Sequence, residues 1–313
     1  MNGILNVLKP PGMSSHDVVH FIRRTFKIKK AGHTGTLDPG AAGVLVVCVG
    51  AATRLAQYIQ DDKEYRAEIT LGLETSSGDT FGEVTAERDA SYLTEDRFKA
   101  VLPAFTGEIK QVPPMTSALK WQGKKLYQLA RAGQVVDRPA RAVTIFSLQY
   151  LEGSGWGGPR PKALLHLACS KGTYVRSLCA DIGTSLGYGA HMSFLVRTRA
   201  GPFTISEART LEELAAVAAV GNPADFLVSM EDALPDLPAV VLKPGAVRAV
   251  SSGAALYMPG VDSLPGELSA GKLVRLVGPA GLLAVAEAVL DPDDSKRFIF
   301  KPVCVLFTPE SSG

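Results

Sequence analysis

The chain has 313 residues, of which 46% are hydrophobic and 20% charged, and its net charge is +2. This length predicts about two domains, and the apolar fraction excludes wholesale disorder. The uncharged apolar stretch 41–52 is shorter than the about 20 residues of a membrane span, and the first residues lack the pattern of a signal peptide. We therefore expect a cytoplasmic protein without a membrane anchor.

The first half of the chain reads as strands and helices that alternate. Apolar runs predict strands at 4–8, 44–49 and 162–169, and an alternating pattern predicts another at 63–73. Ser14 and Asp17 have the spacing of a capping box and predict a helix start, and further helices are expected at 95–105, 174–186 and 211–220. The segment 32–43 is rich in glycine and is predicted to be a loop.

The end of the chain has a different character. Pro235 and Pro238 bracket a linker, and short apolar segments at turn spacing follow it, at 239–242, 273–277, 282–288 and 298–307. Such a series predicts a small β-barrel-like domain.

The near-neutral total charge conceals two basic blocks. Residues 1–60 carry a net charge of +5 and residues 111–200 carry +9, whereas 61–110 and 201–313 carry −6 each. Positive surface assembled from distant segments is typical of proteins that bind a polyanion, although solvated basic faces would give the same counts.

Neither the cysteines nor the histidines form a metal-binding pattern. The four cysteines lie far apart without CxxC spacing and read as reduced, mostly buried thiols: Cys48, Cys169, Cys179 and Cys304. The run from His16 to His20 resembles the HExxH of zinc peptidases, but Asp17 replaces the glutamate base and no third ligand is near. A helix start explains this run better, and we expect no metal.

Asp38 is a candidate for chemistry because it is the only acidic residue between Asp17 and Asp61, in a window rich in lysine and arginine. Nearby positive charge favours the ionised form of a carboxylate, and the surrounding glycines let backbone approach a ligand. Since Pro39 follows, Asp38 equally fits a helix N-cap with proline at the first helical position. The pattern leaves both interpretations open.

Three other residues have both a structural and a functional interpretation. His33 fits a structural loop histidine or a donor to RNA, and Tyr65 fits a core aromatic or a platform for an unpaired base. Arg176 could lie on the surface or hold a carboxylate bidentately, and Tyr174 stands beside it at the predicted helix start.

In this order, the motifs resemble the TruB family of tRNA pseudouridine synthases over roughly residues 2–235. The segments that carry the resemblance are KPPGMSSHDVV (9–19), GHTGTLDPGAAGVL (32–45), DKEYRAEITLG (62–72), PPMTSALKWQGKKLYQLARAG (113–133), CSKGTYVRSLCADIG (169–183) and GAHMSFLVRTRAGPF (189–203). The tail from about Leu237 resembles the RNA-binding PUA module more weakly. One departure lies in the loop 75–82, which keeps Asp79 but has Ser76 where relatives often carry aspartate.

The resemblance implies an α+β fold, with a mixed, mainly antiparallel sheet, flanking helices and a C-terminal β-barrel-like PUA domain. It implies a catalytic domain at 1–235 with a thumb insertion at about 111–135, and an RNA-binding domain at 238–310. The implied reaction converts uridine 55 in the TΨC arm of tRNA to pseudouridine after base flipping, without a cofactor or metal. We expect a monomer with tRNA as partner.

The resemblance also assigns roles to residues. Asp38 matches the catalytic carboxylate and Arg176 the arginine that pairs with it. Substrate contacts are implied for His33, Tyr65, Tyr174 and Leu195, and contacts with the RNA backbone for Lys9, Arg54 and the thumb lysines Lys120, Lys124 and Lys125.

Three other functions compete with this one. An RNA-binding or tRNA-refolding protein without essential catalysis would leave a rigidly mounted carboxylate unexplained. A relative guided by a separate RNA would act on another RNA, but the bacterial-looking N-terminal start and the complete thumb argue against it. A uridine methyltransferase would need a nucleotide-cofactor motif and a positioned cysteine, and the sequence has neither.

Overall fold

A computed structural model describes residues 1–117, 119–134, 136–221, 223–294 and 296–306. In chain order the strands are β1 Gly3–Lys9, β2 Ala31–His33, β3 Ala42–Val49, β4 Lys63–Leu71, β5 Leu73–Thr75, β6 Val84–Glu87, β7 Gly107–Gln111, β8 Lys120–Trp121, β9 Lys124–Lys125, β10 Arg141–Ser154, β11 Lys162–Cys169, β12 Ala190–Ala200, β13 Phe203–Thr204, β14 Ala239–Leu242, β15 Leu256–Tyr257, β16 Val261–Ser263, β17 Leu273–Gly278, β18 Gly281–Leu290 and β19 Phe298–Val305.

The α-helices are α1 Ser15–Thr25, α2 Glu95–Val101, α3 Leu126–Arg131, α4 Val175–Leu186, α5 Leu211–Val220 and α6 Val247–Ser251. Short 3-10 helices occupy Gly50–Leu55, Leu102–Phe105, Ile205–Glu207, Pro223–Phe226, Pro244–Ala246 and Met258–Gly260. The predicted capping box is confirmed, since Ser14 and Asp17 bond each other's backbone N–H at the start of α1. The helix predicted at 95–105 changes to 3-10 geometry at Leu102, next to Pro103.

One large sheet organises the N-terminal part of the chain. Within the described ranges its strand order is β1-β3-β12-β4-β11-β10-β7, with β2 added beside β3 and β13 beside β12. Among the strand pairings described in this sheet, β3–β12 alone is parallel. Side chains from one face of the sheet and from α1, α2, α4 and α5 form the main core, which confirms the mixed, mainly antiparallel α+β prediction.

The C-terminal strands form a second sheet, in the order β15-β19-β18-β17-β14-β16, which curls into a nearly closed barrel. This arrangement confirms the β-barrel-like prediction for the tail. The barrel packs directly on the first sheet, because Val44 and Val46 of β3 share a buried apolar cluster with Leu282 and Val285 of β18.

The sequence pattern does not predict two long strands of the main sheet, β10 and β12. Both carry register shifts that interrupt the inside–outside alternation, at Ile145/Ser147 and Tyr150/Glu152 in β10 and at Met192/Phe194 and Arg197/Arg199 in β12. Without a regular alternation, a half-buried strand has no period-2 signal.

Candidate active site

Asp38 lies on a loop between β2 and β3 that the N-terminus of α1 fixes in place. The backbone N–H of Ala41 donates to the Asp38 carbonyl at 3.1 Å, which closes a tight turn. No helix follows Asp38 in this described segment, so the N-cap interpretation of Asp38 is wrong. The buried Ser15 hydroxyl bonds both the N–H and the C=O of Leu37, at 2.8 and 2.9 Å. The residue before the carboxylate is therefore anchored to the helix.

Lys9 is fully buried under the same loop, and the prediction that it contacts an RNA phosphate is wrong for this structure. Its side chain has 0% exposure, and Nζ donates to the carbonyl oxygens of Ala41, Pro10 and Pro39 at 2.7, 2.8 and 3.2 Å. Burial lowers the pKa of Lys9 to about 8, although the negative charge of Asp38 opposes this shift. Lys9 thus acts as an internal support for the Asp38 turn.

Arg197 of β12 supports the other side of the loop. It is 1% exposed, and its guanidinium donates to the carbonyls of Val44, Thr36 and Gly35 at 2.7, 3.2 and 3.2 Å. The strands approach so closely here that a Cβ on Gly43 would lie 2.2 Å from the Arg197 carbonyl oxygen. Gly43 also has a φ of +114°, which favours glycine.

The Asp38 carboxylate pairs with Arg176, on the first turn of α4. Nε lies 2.9 Å from Oδ2 and Nη2 lies 3.4 Å from Oδ1, so both carboxylate oxygens face the guanidinium. The Arg176 side chain is buried, whereas that of Asp38 remains 34% exposed. The pair therefore holds the carboxylate in a fixed orientation while part of its surface stays open to solvent, as the bidentate interpretation of Arg176 predicts.

The rest of the Arg176 guanidinium is held by groups to which the sequence assigned no role. Asp79 places Oδ2 3.7 Å from Nη1, the Ser77 carbonyl accepts from Nη1 at 3.1 Å, and Thr116 accepts through its carbonyl at 3.2 Å and through its hydroxyl. Asp79 lies in the β5–β6 loop, and Thr116 lies at the base of the predicted thumb. Arg176 thus joins three distant segments, and no spacing within the sequence relates them.

These surroundings set the protonation behaviour of Asp38. Burial raises the pKa of Asp38 above its ordinary value, Arg176 lowers it, Asp79 raises it, and Lys9 lowers it. Along the sequence, the charged residues near Asp38 are all positive and favour its ionised form. In the structure, burial and a second carboxylate act in the opposite direction.

Tyr65 and Leu195 lie on the face of the sheet that points into the core. Across the strands, Tyr65 is paired with Arg197, and Leu195 with Ala67, so the two side chains are close neighbours beside the Asp38 loop. Tyr65 is only 6% exposed, and burial raises its pKa to about 12. At neutral pH its hydroxyl is therefore protonated and can donate a hydrogen bond.

Tyr174 immediately precedes α4. Its backbone N–H and C=O both bond the side-chain amide of the buried Gln111, at 3.0 and 3.3 Å. Because Gln111 ends β7 where the predicted thumb begins, this contact ties residue 111 to the helix that carries Arg176.

The other residues predicted to contact RNA differ in how far they are exposed. His33 ends β2 and is half-buried; burial lowers its pKa, and its Nδ1 has no hydrogen-bond partner in the described part of the chain. Arg54 is exposed at the junction with the barrel and donates to the Val305 carbonyl at 2.6 Å. Lys124 is exposed in the β8–β9 hairpin, and the side chains of Lys120 and Lys125 lie outside the described residues.

The described residues also show whether a metal-binding group or a membrane-spanning helix is present among them. Over the described ranges, no group of three or more His, Cys, Asp or Glu side chains is arranged to hold a metal ion. None of the helices seen in those ranges is both long and apolar enough to span a bilayer.

Comparison with known proteins places this geometry in a family. Residues 23–175 match the TruB family pseudouridylate synthase N-terminal domain, 176–234 match the tRNA pseudouridylate synthase B C-terminal domain, and 238–301 match the PUA domain. The chain is 64% identical over 307 residues to tRNA pseudouridine synthase B of Pelotomaculum thermopropionicum, covering 98% of this chain and 97% of that protein. It is 47% identical to the protein of the same name in Moorella thermoacetica, covering 97% and 99%.

A solved structure agrees with these sequence matches. A chain in the crystal structure of a Cbf5-Nop10-Gar1 complex superposes with a TM-score of 0.74 and 32% identity, covering 98% of this chain and 85% of that one. With an arginine-held carboxylate on the loop between β2 and β3, this chain belongs to the TruB family of pseudouridylate synthases and is a pseudouridine synthase with a PUA domain.

Proposed function

We propose that the protein converts uridine 55 in the TΨC arm of tRNA to pseudouridine, with Asp38 as the catalytic carboxylate. The observation that carries this proposal is the Asp38–Arg176 pair, because its carboxylate is rigidly mounted yet 34% exposed. The tRNA substrate is supported by the names of the relatives, which match nearly the whole chain.

The reaction requires the C1′–N1 bond of uridine to break, the base to turn, and C1′ to join C5. C5 then releases its proton to solvent and N1 takes one up, so the product is an isomer of the substrate. An ionised carboxylate can start this sequence as a nucleophile at C1′ or as a base. Arg176 orients both oxygens of Asp38 and favours its charged form. Tyr65, whose hydroxyl stays protonated, supplies an aromatic face for the base and a hydrogen-bond donor inside the cleft.

A uridine in a folded RNA reaches this cleft only after it has left its stack. Extruding a base costs a few kcal/mol, which contacts with the RNA backbone must offset. Exposed cations such as Lys124 and Arg54 are suited to this task, whereas the buried Lys9 is not.

Tritium release from 5-[³H]uridine in a T-arm transcript tests the proposal. We expect release and pseudouridine in the digest with the wild type, and neither with Asp38→Asn, which keeps the shape but loses the charge. Asp96→Asn is the matched control, since Asp96 is exposed in the first turn of α2. Full activity of Asp38→Asn would refute the mechanism, and release without pseudouridine would refute the product.

A second substrate class has one observation in its favour. A chain in the structure of an H/ACA RNP bound to a substrate RNA containing 2'-deoxyuridine superposes with a TM-score of 0.74 and 30% identity. Turnover of uridine-containing RNA fragments unrelated to tRNA should therefore be compared with that of the T-arm. Faster turnover of such a fragment would replace the tRNA assignment.

Action as a monomer in the cytoplasm stays a prediction. Size-exclusion chromatography tests the oligomeric state, and cell fractionation tests the localisation.

A further inference from the structure

An exposed aromatic side chain lies against the Asp38 loop and has no role in the chemistry above. Phe81 is 77% exposed, in the loop between β5 and β6 that also carries Asp79. A ring so exposed does not stabilise the core. It presents an apolar surface to whatever enters the cleft.

The Phe81 ring lies against the backbone of the Asp38 loop. A Cβ built on Gly40 would lie 2.0 Å from Cε2 and 2.7 Å from Cζ of this ring, so the ring occupies the space that a side chain at position 40 would need. Gly40 follows Asp38 by two residues. The exposed ring and the reactive carboxylate are therefore neighbours.

The backbone of Phe81 is fixed relative to the catalytic pair. Asp79 Oδ1 accepts from the Phe81 N–H at 3.0 Å, while Oδ2 of the same carboxylate faces Arg176. The loop is held further by the Met192 N–H, which donates to the Gly78 carbonyl at 2.9 Å. A residue held through Asp79 moves together with the Arg176 site, so Phe81 is preorganised.

We propose that Phe81 is a positioning residue that stacks on the base next to the target uridine in the RNA strand. The proposal rests on the proposed function, because it assumes that a uridine enters the cleft to reach Asp38. Tyr65 is only 6% exposed beside the Asp38 loop, so we expect it to contact only the base that reaches Asp38. The neighbouring nucleotides stay outside, where Phe81 is exposed, and every base offers a flat face to an aromatic ring.

Binding of T-arm RNA by Phe81 variants tests this stacking. We expect Phe81→Leu, which keeps an apolar contact with Gly40, to weaken binding about 5- to 10-fold. Phe81→Tyr should retain wild-type affinity. The loss should appear in the dissociation constant rather than in the single-turnover rate at saturating RNA. Tyr92→Leu is the matched control, because Tyr92 is an equally exposed aromatic in the turn before α2.

An abasic nucleotide on either side of the target uridine identifies the partner of the ring. One of the two abasic RNAs should bind the wild type about 5- to 10-fold more weakly, and that same RNA should lose nothing further with Phe81→Leu. Additive losses at both positions, unchanged binding by Phe81→Leu, or an equal loss in Tyr92→Leu would each overturn the proposal.

A second variant moves the ring without removing it. Gly40→Ala forces the Phe81 ring aside and should weaken binding in the wild-type background, but not when combined with Phe81→Leu. Additive effects would overturn the contact. Wild-type turnover of the same RNA separates the two proposals: no pseudouridine overturns the proposed function, whereas pseudouridine without coupling between Phe81 and a base overturns only the stacking.

Discussion

Lys9 provides the sharpest test of how the active-site loop is supported. Lys9→Met keeps a long unbranched side chain in the buried space but removes Nζ and its three hydrogen bonds. Hydrogen bonds to charged groups contribute about 1.5–3 kcal/mol each, but burying the ammonium offsets part of this gain, as its pKa of about 8 shows. We expect the free energy of unfolding to fall by about 3 kcal/mol and Tm by about 5–10 °C.

Loss of this support should also reduce catalysis, because the carbonyls of Pro39 and Ala41 frame the Asp38 turn. A displacement of the carboxylate by about 1 Å is sufficient to slow a reaction about 100-fold. The affinity for RNA should change little, and so should its salt dependence, since Lys9 has no exposed surface.

The measurements are denaturant unfolding, single-turnover kinetics, and RNA affinity as a function of salt concentration. Lys124→Met is the contrasting variant, because Lys124 is exposed in the thumb hairpin. If Lys124 contacts a phosphate, its removal should lower the slope of log K against log salt by about 0.9 and change stability by less than about 0.5 kcal/mol. A Lys9→Met protein with unchanged stability and a reduced salt slope would refute the internal role and restore Lys9 as a phosphate contact.

Two further predictions concern Asp79 and the domain junction. Asp79→Asn removes a negative charge that raises the pKa of Asp38, so the ionised carboxylate should persist to lower pH, and the acid limb of the single-turnover rate should move in that direction. An unmoved limb or a shift to higher pH would contradict this electrostatic assignment. Leu282→Ala, in the apolar cluster shared by β3 and β18, should cost about 2–4 kcal/mol and lower one common unfolding transition in calorimetry. Two resolved transitions would show that the barrel unfolds separately.

Local sequence patterns were sufficient to predict the helices and strands whose ends are set by interactions between nearby residues. The capping box at Ser14 predicted the start of α1, and the strand at 162–169 has the bounds of β11. By contrast, β12 escaped prediction because two register shifts interrupt its pattern and because Arg197 is buried in it. Arg197 can be buried because it bonds carbonyls more than 150 residues away in the chain. A local sequence pattern cannot predict such distant partners.

The candidate site was predictable where the resemblance assigned a role to a residue, and not where tertiary contacts alone define that role. Asp38 and Arg176 carry specific motifs and lie within bonding distance. Asp79 and Thr116 complete the shell of Arg176 from two other segments, and their roles follow only from the folded geometry. The acidic segment 61–110 thus contributes Tyr65, Asp79 and Phe81 to a site that charge counting placed in the basic blocks.

Burial changes what the positive charge of the sequence does. Arg176 forms an ion pair with Asp38, and Lys9 and Arg197 donate hydrogen bonds to the backbone of the loop that carries Asp38. Because their charged groups are already bonded inside the protein, these three side chains are not available as RNA-binding cations. Moving a carboxylate out of water disfavours its charged form, and Arg176 and Lys9 oppose that effect. These two side chains therefore both support Asp38 and favour its ionised form, whereas Arg197 supports only the backbone of the loop. The exposed cations are left to contact RNA phosphates.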